Sequence, residues 1–307
     1  MINFIYPIVK IWVRFTLHLF CKRITWHDNT ILSHNKPLLI GAHHPNSFMD
    51  AIIIGAYMDL PVHFMTRSDV FKWSWVRFML RQLHMIPVYR IRDGKDKLSL
   101  NDLSFREGCN YLKKGDHVLI FVEGFCENQT TLQPLKKGAA RILLQSWNDG
   151  VEVEMLPLWI RYHSFFDFAK TIDIMPGTPF GKSSLPVELS PGAAMQWINQ
   201  QTADQLEQLS AIKSPPDRLR RNILLFPLAV IGYFLHFPLY YLFNYLVKKI
   251  NRGSIHYDSL MYSLMAIVYP FWLVFLWMLA SFFLPSFAAL TLPLLAVICA
   301  RAFVLWK

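Results

Sequence analysis

A histidine and an aspartate six positions apart, His44 and Asp50, are the residues best spaced for chemistry in this sequence. They follow an apolar segment, residues 37–42, that predicts a buried strand, and Pro45 disfavours helix at His44, so the strand ends there. The apolar residues 51–56 predict a helix that begins near Asp50. A histidine at a strand end can meet a carboxylate in the next helical turn, which suits a general base and the acid that orients it. From this run alone, a buried histidine beside a helix-capping acid is an equally good interpretation.

A second candidate is an arginine at the end of another apolar run, residues 85–89. The run predicts a strand, and the guanidinium of Arg90 presents a fork of donors that matches phosphate oxygens. Arg77 and Arg81, further upstream, are interpreted instead as the solvent-facing or lipid-facing side of a helix. Arg90 is therefore the predicted phosphate ligand.

A carboxylate and a glycine follow a third apolar run, residues 117–122. The run predicts a buried strand that brings Glu123 to the edge of a sheet, and Gly124 lets a substrate approach the backbone closely. Further on, Lys136 and Lys137 begin a predicted helix, where the positive end of the helix dipole and two basic side chains favour an anion. For Lys136, a surface charge without a ligand is an equal alternative.

These runs, in this order and spacing, resemble the motifs of the PlsC-like glycerophospholipid acyltransferases over about residues 38 to 180. The H-P-N-x-x-x-D run resembles the histidine–aspartate motif in a branch that includes bacterial homologues and some glycerol-3-phosphate acyltransferases. The V-E-G-F run and the K-K-G-A-A-R segment after it resemble the F-P-E-G block and its downstream segment. Residues 155–160 resemble the final V-P-V strand, and residues 174–180 resemble the closing strand and turn.

The sequence departs from the family pattern at three points. Five residues separate His44 from Asp50, where four are usual. Val122 stands in place of the usual proline, and Phe125 stands in place of a small hydroxylated residue. The last two departures concern the loop that contacts the acceptor.

The resemblance implies a reaction and a set of site residues. A fatty acyl group is expected to move from acyl-ACP or acyl-CoA to a hydroxyl of 1-acyl-glycerol 3-phosphate or glycerol 3-phosphate, with His44 as general base and Asp50 orienting it. No cofactor and no metal are expected, since the side chains of His43 and His44 on an extended strand point to opposite faces. The residues expected to bind substrate are Asn46, Ser47, Arg90, Glu123, Gly124 and Lys137.

Two other functions stay open at this point. The acceptor can be an amino acid or a lyso-aminolipid instead of a glycerophosphate, which the sequence barely separates. The chain can also be a catalytically inactive, membrane-anchored lipid-binding or scaffold protein. The intact set of motif residues argues against this last interpretation.

Short apolar runs alternate with helical patterns between about residues 30 and 190, which predicts an α/β fold with a mostly parallel sheet flanked by helices. In such sheets, sites lie at the carboxyl ends of the strands, where the histidine, the arginine and the glutamate all fall. Strands are predicted at 38–42, 62–66, 85–89, 117–122, 153–161 and 172–175, and helices at 48–58, 69–83, 99–114, 136–147 and 191–210.

The composition indicates a membrane protein with an acidic partner. Of the 307 residues, 53% are hydrophobic, and the formal net charge is +10. From Ser259 to Ala300 there is no Asp, Glu, Lys or Arg, which leaves room for two spans of about 20 residues each. With such an apolar tail, the positive charge favours membrane lipid and a phosphorylated substrate over nucleic acid. The four cysteines form no C-x-x-C pair, which suits a reducing compartment.

Three regions follow from these patterns. Residues 1–29 predict an amphipathic helix that lies in the membrane interface, although packing on the domain's own core is an alternative. Residues 30–215 are the predicted acyltransferase catalytic domain. Residues 216–307 are the predicted C-terminal membrane region.

Within the membrane region, two prolines interrupt the uncharged residues 222–247, which predicts a re-entrant or interfacial pair of helices. Residues 260–305 predict a transmembrane hairpin. Basic groups at 217–221 and 248–252 favour the cytoplasmic side of the membrane, so the catalytic domain is expected to face the cytoplasm.

Overall fold

A computed structural model describes residues 5–90, 93–187, 189–213, 223–250 and 254–307 of the chain. Within these residues, seven strands form one sheet in the order β1-β7-β6-β2-β5-β3-β4. The strands are β1 (Arg23–Trp26), β2 (Leu38–Ala42), β3 (Val62–Arg67), β4 (Met85–Val88), β5 (His117–Phe121), β6 (Glu154–Tyr162) and β7 (Thr171–Pro176). Five neighbouring pairs are parallel and the β6–β7 pair is antiparallel. The predicted mostly parallel sheet is therefore confirmed, with β2 near its centre.

All six predicted strands are present, but β1 was not predicted. This strand has only four residues and lies at the edge of the sheet, where it pairs with β7. Its partner comes from about 150 residues further along the chain, as the pairing of Arg23 with Thr171 shows. A short strand fixed by such a distant partner carries little local signal.

Helices cover both faces of the sheet. They are α1 (Ile5–Phe20), α2 (Phe48–Tyr57), α3 (Ser74–Gln82), α4 (Leu100–Lys113), α5 (Gly138–Asn148), α6 (Pro191–Ala211), α7 (Phe226–Ile250), α8 (Tyr257–Ser281), α9 (Ser286–Ala289) and α10 (Thr291–Trp306). Because side chains alternate along a strand, Leu38 and Ile40 of β2 pack on the α1, α2 and α8 side, whereas Leu39 packs on the α4, α5 and α6 side. The predicted helices at 48–58, 99–114, 136–147 and 191–210 match, and α3 is shorter than predicted because Ser68–Phe71 form a 3-10 turn.

The N-terminal helix α1 has two different faces. Leu17 and Phe20 are buried in the core beside α2 and α8, while Ile8 and Ile11 are 67% and 70% exposed. The indole Nε1 of Trp12 donates a hydrogen bond of 3.0 Å to the Ala266 carbonyl of α8. The helix thus packs on the core and on α8, and it leaves an apolar stripe uncovered.

Three helical segments in the described part of the chain are long and apolar enough to cross a membrane: Ile223–Lys249, Tyr257–Ser281 and Ser286–Trp306. The prediction of a helical pair at 222–247 is wrong in one respect, because α7 is a single helix. Pro227 lies in its first turn, where no helical hydrogen bond is lost, and Pro238 is accommodated inside it. Whether α7 spans or lies in the membrane interface stays a prediction. The basic residues 217–221 and residues 251–252 lie outside the described residues.

Candidate active site

The candidate site is built at the carboxyl end of β2, between β5 and β6. His44 lies two residues beyond this strand, and Asp50 occupies the first turn of α2, which begins at Phe48. The chain turns between them at Pro45, so the two side chains meet. The Nδ1 atom of His44 lies 2.9 Å from Oδ2 of Asp50. The sequence-predicted pair is therefore in hydrogen-bond contact.

The Asp50 carboxylate is fully buried and accepts hydrogen bonds from three groups. These are the His44 ring, the backbone N–H of Asn46 at 2.9 Å and the hydroxyl of Tyr162 at 2.7 Å. Burial and the neighbouring Asp50 raise the pKa of Tyr162 well above its ordinary value, so its hydroxyl stays protonated and donates. Since every partner is a donor, the arrangement suits an ionised carboxylate, which only accepts.

The imidazole of His44 is fixed in orientation and open at its other nitrogen. When Asp50 accepts from Nδ1–H, the neutral imidazole keeps its lone pair on Nε2. The ring stacks on Phe121 of β5, with centroids 3.6 Å apart and planes at 10°. The side chain is 15% exposed, and Nε2 has no hydrogen-bond partner among the residues that the structure describes. An imidazole in this arrangement can accept a proton at Nε2.

Glu123 supports the histidine from the neighbouring strand end. One carboxylate oxygen accepts the backbone N–H of His44 at 3.2 Å, and the other accepts the backbone N–H of Gln133 at 2.9 Å. Burial raises the pKa of Glu123 above its ordinary value. The next residue, Gly124, has φ +72°, and a Cβ atom there would lie 2.9 Å from Cγ of Lys136. Both conditions exclude a larger residue at position 124 without strain.

His43 has a different environment, on the opposite side of the strand. Its ring stacks on Trp159 with centroids 3.8 Å apart, and only 1% of the residue is exposed. Burial lowers the pKa of His43 to about 4, so the ring is neutral near pH 7. Among the residues described, no group of three or more His, Cys, Asp or Glu side chains could hold a metal ion.

Residues 23–161, which contain this cluster apart from Tyr162, match the family model described as Acyltransferase. This segment, less than half of the chain, is similar to the acyltransferase family, in agreement with the predicted resemblance to the PlsC-like acyltransferases.

Two relatives show how far the likeness extends. Over 98 residues the chain is 28% identical to the 1-acyl-sn-glycerol-3-phosphate acyltransferase of Bacillus subtilis (strain 168), a match that covers 32% of this chain and 45% of that protein. The chain thus spans less than half the length of this curated relative. The structure of the 1-acyl-sn-glycerophosphate (LPA) acyltransferase PlsC from Thermotoga maritima superposes with a TM-score of 0.47 and 16% identity, over 69% of this chain and 82% of that one.

Two motif residues of the acyltransferase domain do not occupy the substrate-binding position predicted for them. Asn46 is fully buried, and its Nδ2 donates to Oδ2 of Asp258 at 2.7 Å. Ser47 is 4% exposed, and its Oγ is hydrogen-bonded to Nδ1 of His256. The prediction is corrected because the first turn of α8 and His256, just before it, bind these side chains, which the local sequence could not indicate.

Arg90 lies at the carboxyl end of β4, as predicted, but its guanidinium already has acidic partners. Its Nη2 lies 3.1 Å from Asp69 and 3.5 Å from Asp93, and the side chain is 21% exposed. Asp69 is shared with Arg67, which lies at the end of β3. Nε of Arg90 is buried without a hydrogen-bond partner in the described part of the chain. Both acidic partners therefore contact the same nitrogen, Nη2, of the guanidinium.

Lys137 caps the N-terminus of α5 and is exposed. Its role in binding an anion stays a prediction.

Several polar residues that the sequence did not indicate contact the His44–Asp50 motif. Tyr162 is the last residue of β6, one position beyond the predicted strand, and it reaches Asp50. Asp258 and Ser259 lie in the first turn of α8 and contact the loop after His44. Lys170 forms an ion pair with Asp258. The one available signal was Asp258 itself, the last acidic residue before a long uncharged run.

Proposed function

We propose that this protein is a membrane-bound O-acyltransferase of phospholipid synthesis. It transfers a fatty acyl group from acyl-ACP or acyl-CoA to a hydroxyl of 1-acyl-glycerol 3-phosphate or glycerol 3-phosphate. The observation that carries the proposal is the 2.9 Å contact between His44 Nδ1 and Asp50, which leaves Nε2 open at the carboxyl end of a central strand. The likeness of residues 23–161 to the acyltransferase family supports the reaction class.

In the proposed mechanism, Nε2 of His44 takes the proton of the acceptor hydroxyl as its oxygen attacks the thioester carbonyl. The carbon–sulfur bond then breaks, and the imidazolium returns the proton to the leaving thiolate. Asp50 holds the ring in the required tautomer and stabilises the imidazolium. General-base catalysis of this kind contributes about 10²–10⁴-fold to the rate. No covalent acyl-enzyme is needed.

We assign the acceptor phosphate to Arg90. The guanidinium lies at a strand end of the same sheet edge as His44, and its side chain is 21% exposed. A phosphate monoester has three terminal oxygens and more negative charge than either carboxylate, and Asp69 and Asp93 are partly exposed, so a phosphate can compete with each of them for the guanidinium. Glu123 and Gly124 shape the loop between the two groups, and Lys137 supplies further positive charge.

The three apolar segments support attachment to a membrane, and the basic residues at 217–221 and 248–252 support a cytoplasmic catalytic domain. In the proposed arrangement, the acceptor reaches the site from the membrane surface. The acylated product can then return to the bilayer without crossing water.

The first experiment compares His44→Ala with His34→Ala in detergent-solubilised or nanodisc-reconstituted protein. His34 lies four residues before the same strand begins and pairs with Glu154, so it is a matched imidazole outside the site. We expect His44→Ala to lower kcat by about 10²–10⁴-fold and His34→Ala to keep most of the activity. Substantial acyl transfer by folded His44→Ala protein would remove the central assignment.

The acceptor is identified by supplying labelled acyl donor with glycerol 3-phosphate, 1-acyl-glycerol 3-phosphate, amino acids and lyso-aminolipids in turn. We expect turnover with a glycerophosphate acceptor, and the panel run with acyl-ACP and with acyl-CoA identifies the donor. Turnover with only the amino-bearing acceptors would keep the mechanism and change the substrate. No turnover with any acceptor would leave a lipid-binding or scaffold role.

A further inference from the structure

The first turn of α8 is built into the loop that follows the proposed catalytic histidine. Nδ2 of Asn46 donates to Asp258 at 2.7 Å, and the Ser259 hydroxyl donates to the Asn46 carbonyl at 3.1 Å. The same hydroxyl accepts the backbone N–H of Met49 at 3.1 Å. Asn46, Asp258 and Ser259 are each at most 3% exposed. A helix outside the family-matched residues therefore contacts both ends of the Asn46–Met49 loop.

The charge of Asp258 is balanced by a lysine from the catalytic domain. Nζ of Lys170 lies 2.6 Å from Oδ1 of Asp258 and donates to the Phe165 carbonyl at 2.9 Å. The side chain of Lys170 is 0% exposed. A buried ion pair contributes little net stability compared with apolar side chains of similar volume, yet loss of one partner is strongly destabilising. Stability alone therefore does not account for this pair.

The pair is also connected to the proposed catalytic carboxylate. Nζ of Lys170 lies 6.0 Å from the ring centroid of Tyr162, and the hydroxyl of Tyr162 donates to Asp50 at 2.7 Å. Asp50 in turn bonds the His44 ring. A continuous series of buried contacts thus runs from the beginning of α8 to the imidazole.

The loop itself has a conformation that needs outside support. Ser47 has φ 51° and ψ −142°, a region that side chains other than glycine rarely occupy. Such a conformation costs on the order of 1–3 kcal/mol and persists only where surrounding contacts fix it. Ser47 is fixed by its N–H to Sγ of Cys126 at 2.9 Å and by its Oγ to His256, which lies just before α8.

We propose that Asp258, Ser259 and Lys170 are positioning residues that hold the Asn46–Met49 loop, so that the site is complete only when α8 is docked on the catalytic domain. The inference rests on the proposed function, with His44 as the base. It assigns to the C-terminal membrane region a direct part in the geometry of the acyl-transfer site, beyond attachment to a bilayer.

Hydrogen–deuterium exchange of the full chain tests the contact without any assay of activity. The variants are Ser259→Ala, which removes one hydroxyl, and Asp258→Asn, which leaves the buried ammonium of Lys170 without its counter-charge. The control is Asp173→Asn, since Asp173 is an equally buried carboxylate in β7 that pairs with His163 and His27 instead. We expect the amides of residues 46–50 to exchange at least about tenfold faster in both test variants and at the wild-type rate in the control.

Kinetics with the acyl donor and the acceptor test whether the contact serves the reaction. We expect Ser259→Ala to lower kcat by about 3–10-fold and Asp258→Asn to lower it further, with both KM values within about twofold of wild type. A variant can also lose activity only because it is less stable, and thermal unfolding measures that loss of stability. The double variant Asp258→Leu with Lys170→Met removes both charges, so it should regain thermal stability relative to Asp258→Asn while its kcat stays low.

The outcomes separate the two proposals. Unchanged exchange of residues 46–50 in both single variants would overturn the positioning role, whatever the activity. Faster exchange with wild-type kcat, or a double variant that recovers kcat together with stability, would also overturn it. If the wild-type chain turns over no acceptor, the proposed function fails, and the exchange data still decide whether α8 holds the loop.

Discussion

The carboxyl edge of the sheet carries two clusters of charged side chains that are held in different ways. At the centre, beyond β2, the fully buried carboxylate of Asp50 is hydrogen-bonded to His44, to Tyr162 and to a backbone N–H. At the end formed by β3 and β4, Arg90 lies between Asp69 and Asp93, whose side chains are 31% and 13% exposed.

Because they are held differently, we expect the two clusters to have different functions. The central cluster cannot rearrange without leaving a buried donor or acceptor unpaired, so it keeps one geometry. The ion pairs at the edge are partly solvated and individually weak, so an incoming phosphate can replace a carboxylate at little cost. We therefore expect changes at the centre to lower kcat and changes at the edge to raise KM for the acceptor.

The largest effect is expected from Asp50→Asn. The amide can present a donor to Nδ1 of His44, which then favours the tautomer that protonates Nε2 and removes the base. We expect kcat to fall by about 10³-fold, within the range of general-base catalysis, with little change in KM. Initial rates at saturating substrate measure this. The matched control is Asp116→Asn, which alters an equivalent carboxylate–imidazole contact of 2.9 Å to His63. A loss no greater than in this control would contradict the role of Asp50.

The next largest effect is expected at the edge cluster, where a change should alter KM and not kcat. Arg90→Ala should raise the KM of a glycerophosphate acceptor by about 10–100-fold, which matches the loss of a charged hydrogen bond, and leave kcat within about threefold. The KM of Arg90→Lys should lie between those of the wild type and Arg90→Ala, because an ammonium keeps the charge but lacks the planar fork of donors. Arg81→Ala, which removes an exposed pair with Glu107, is the control. An unchanged KM would rule out Arg90 as the phosphate ligand.

The same two clusters show what the sequence could and could not predict. His44 and Asp50 were predictable because a proline, a strand end and a helix start lie within eight residues. Arg90 was predictable as a strand end, although its partner Asp69 was not. Tyr162 and Asp258 meet the motif from 112 and 212 residues away, so no local pattern could indicate them.

The uncharged residues 259–300 also show that local sequence does not indicate long-range contacts. Their hydropathy predicts membrane helices, but the packing of α8 on the loop after His44 depends on the assembled sheet. The proline rule also failed at Pro238, because neighbouring helices can stabilise a helix that a proline weakens. Local chemistry was therefore easier to predict than the contacts that hold it in place.

A smaller effect at the centre is expected from Tyr162→Phe. This change removes one of the three hydrogen bonds to Asp50 and leaves the ring in place, so the carboxylate keeps its other two donors. We expect kcat to fall by about 3–10-fold at constant KM, because the two remaining donors still hold the carboxylate. Tyr111→Phe, whose hydroxyl contacts Glu107 away from the site, is the control. Equal losses in the two variants would show that Tyr162 has no special part in orienting Asp50.

The smallest effect on activity is expected from His43→Phe, which instead tests stability against pH. Burial depresses the pKa of His43 to about 4, below an ordinary value of about 6.5. The neutral ring therefore contributes its stability fully above pH 6.5, and this contribution is lost as the pH falls towards 4, where the buried ring must take up a proton. Phenylalanine can keep the stacking on Trp159 and has no proton to bind. We therefore expect the free energy of unfolding of the variant, relative to that of the wild type, to rise by about 2 kcal/mol between pH 7 and pH 5. Thermal unfolding of both proteins at the two pH values measures this difference. Parallel pH profiles would show that the His43 side of the strand, unlike the His44 side, is accessible to protons.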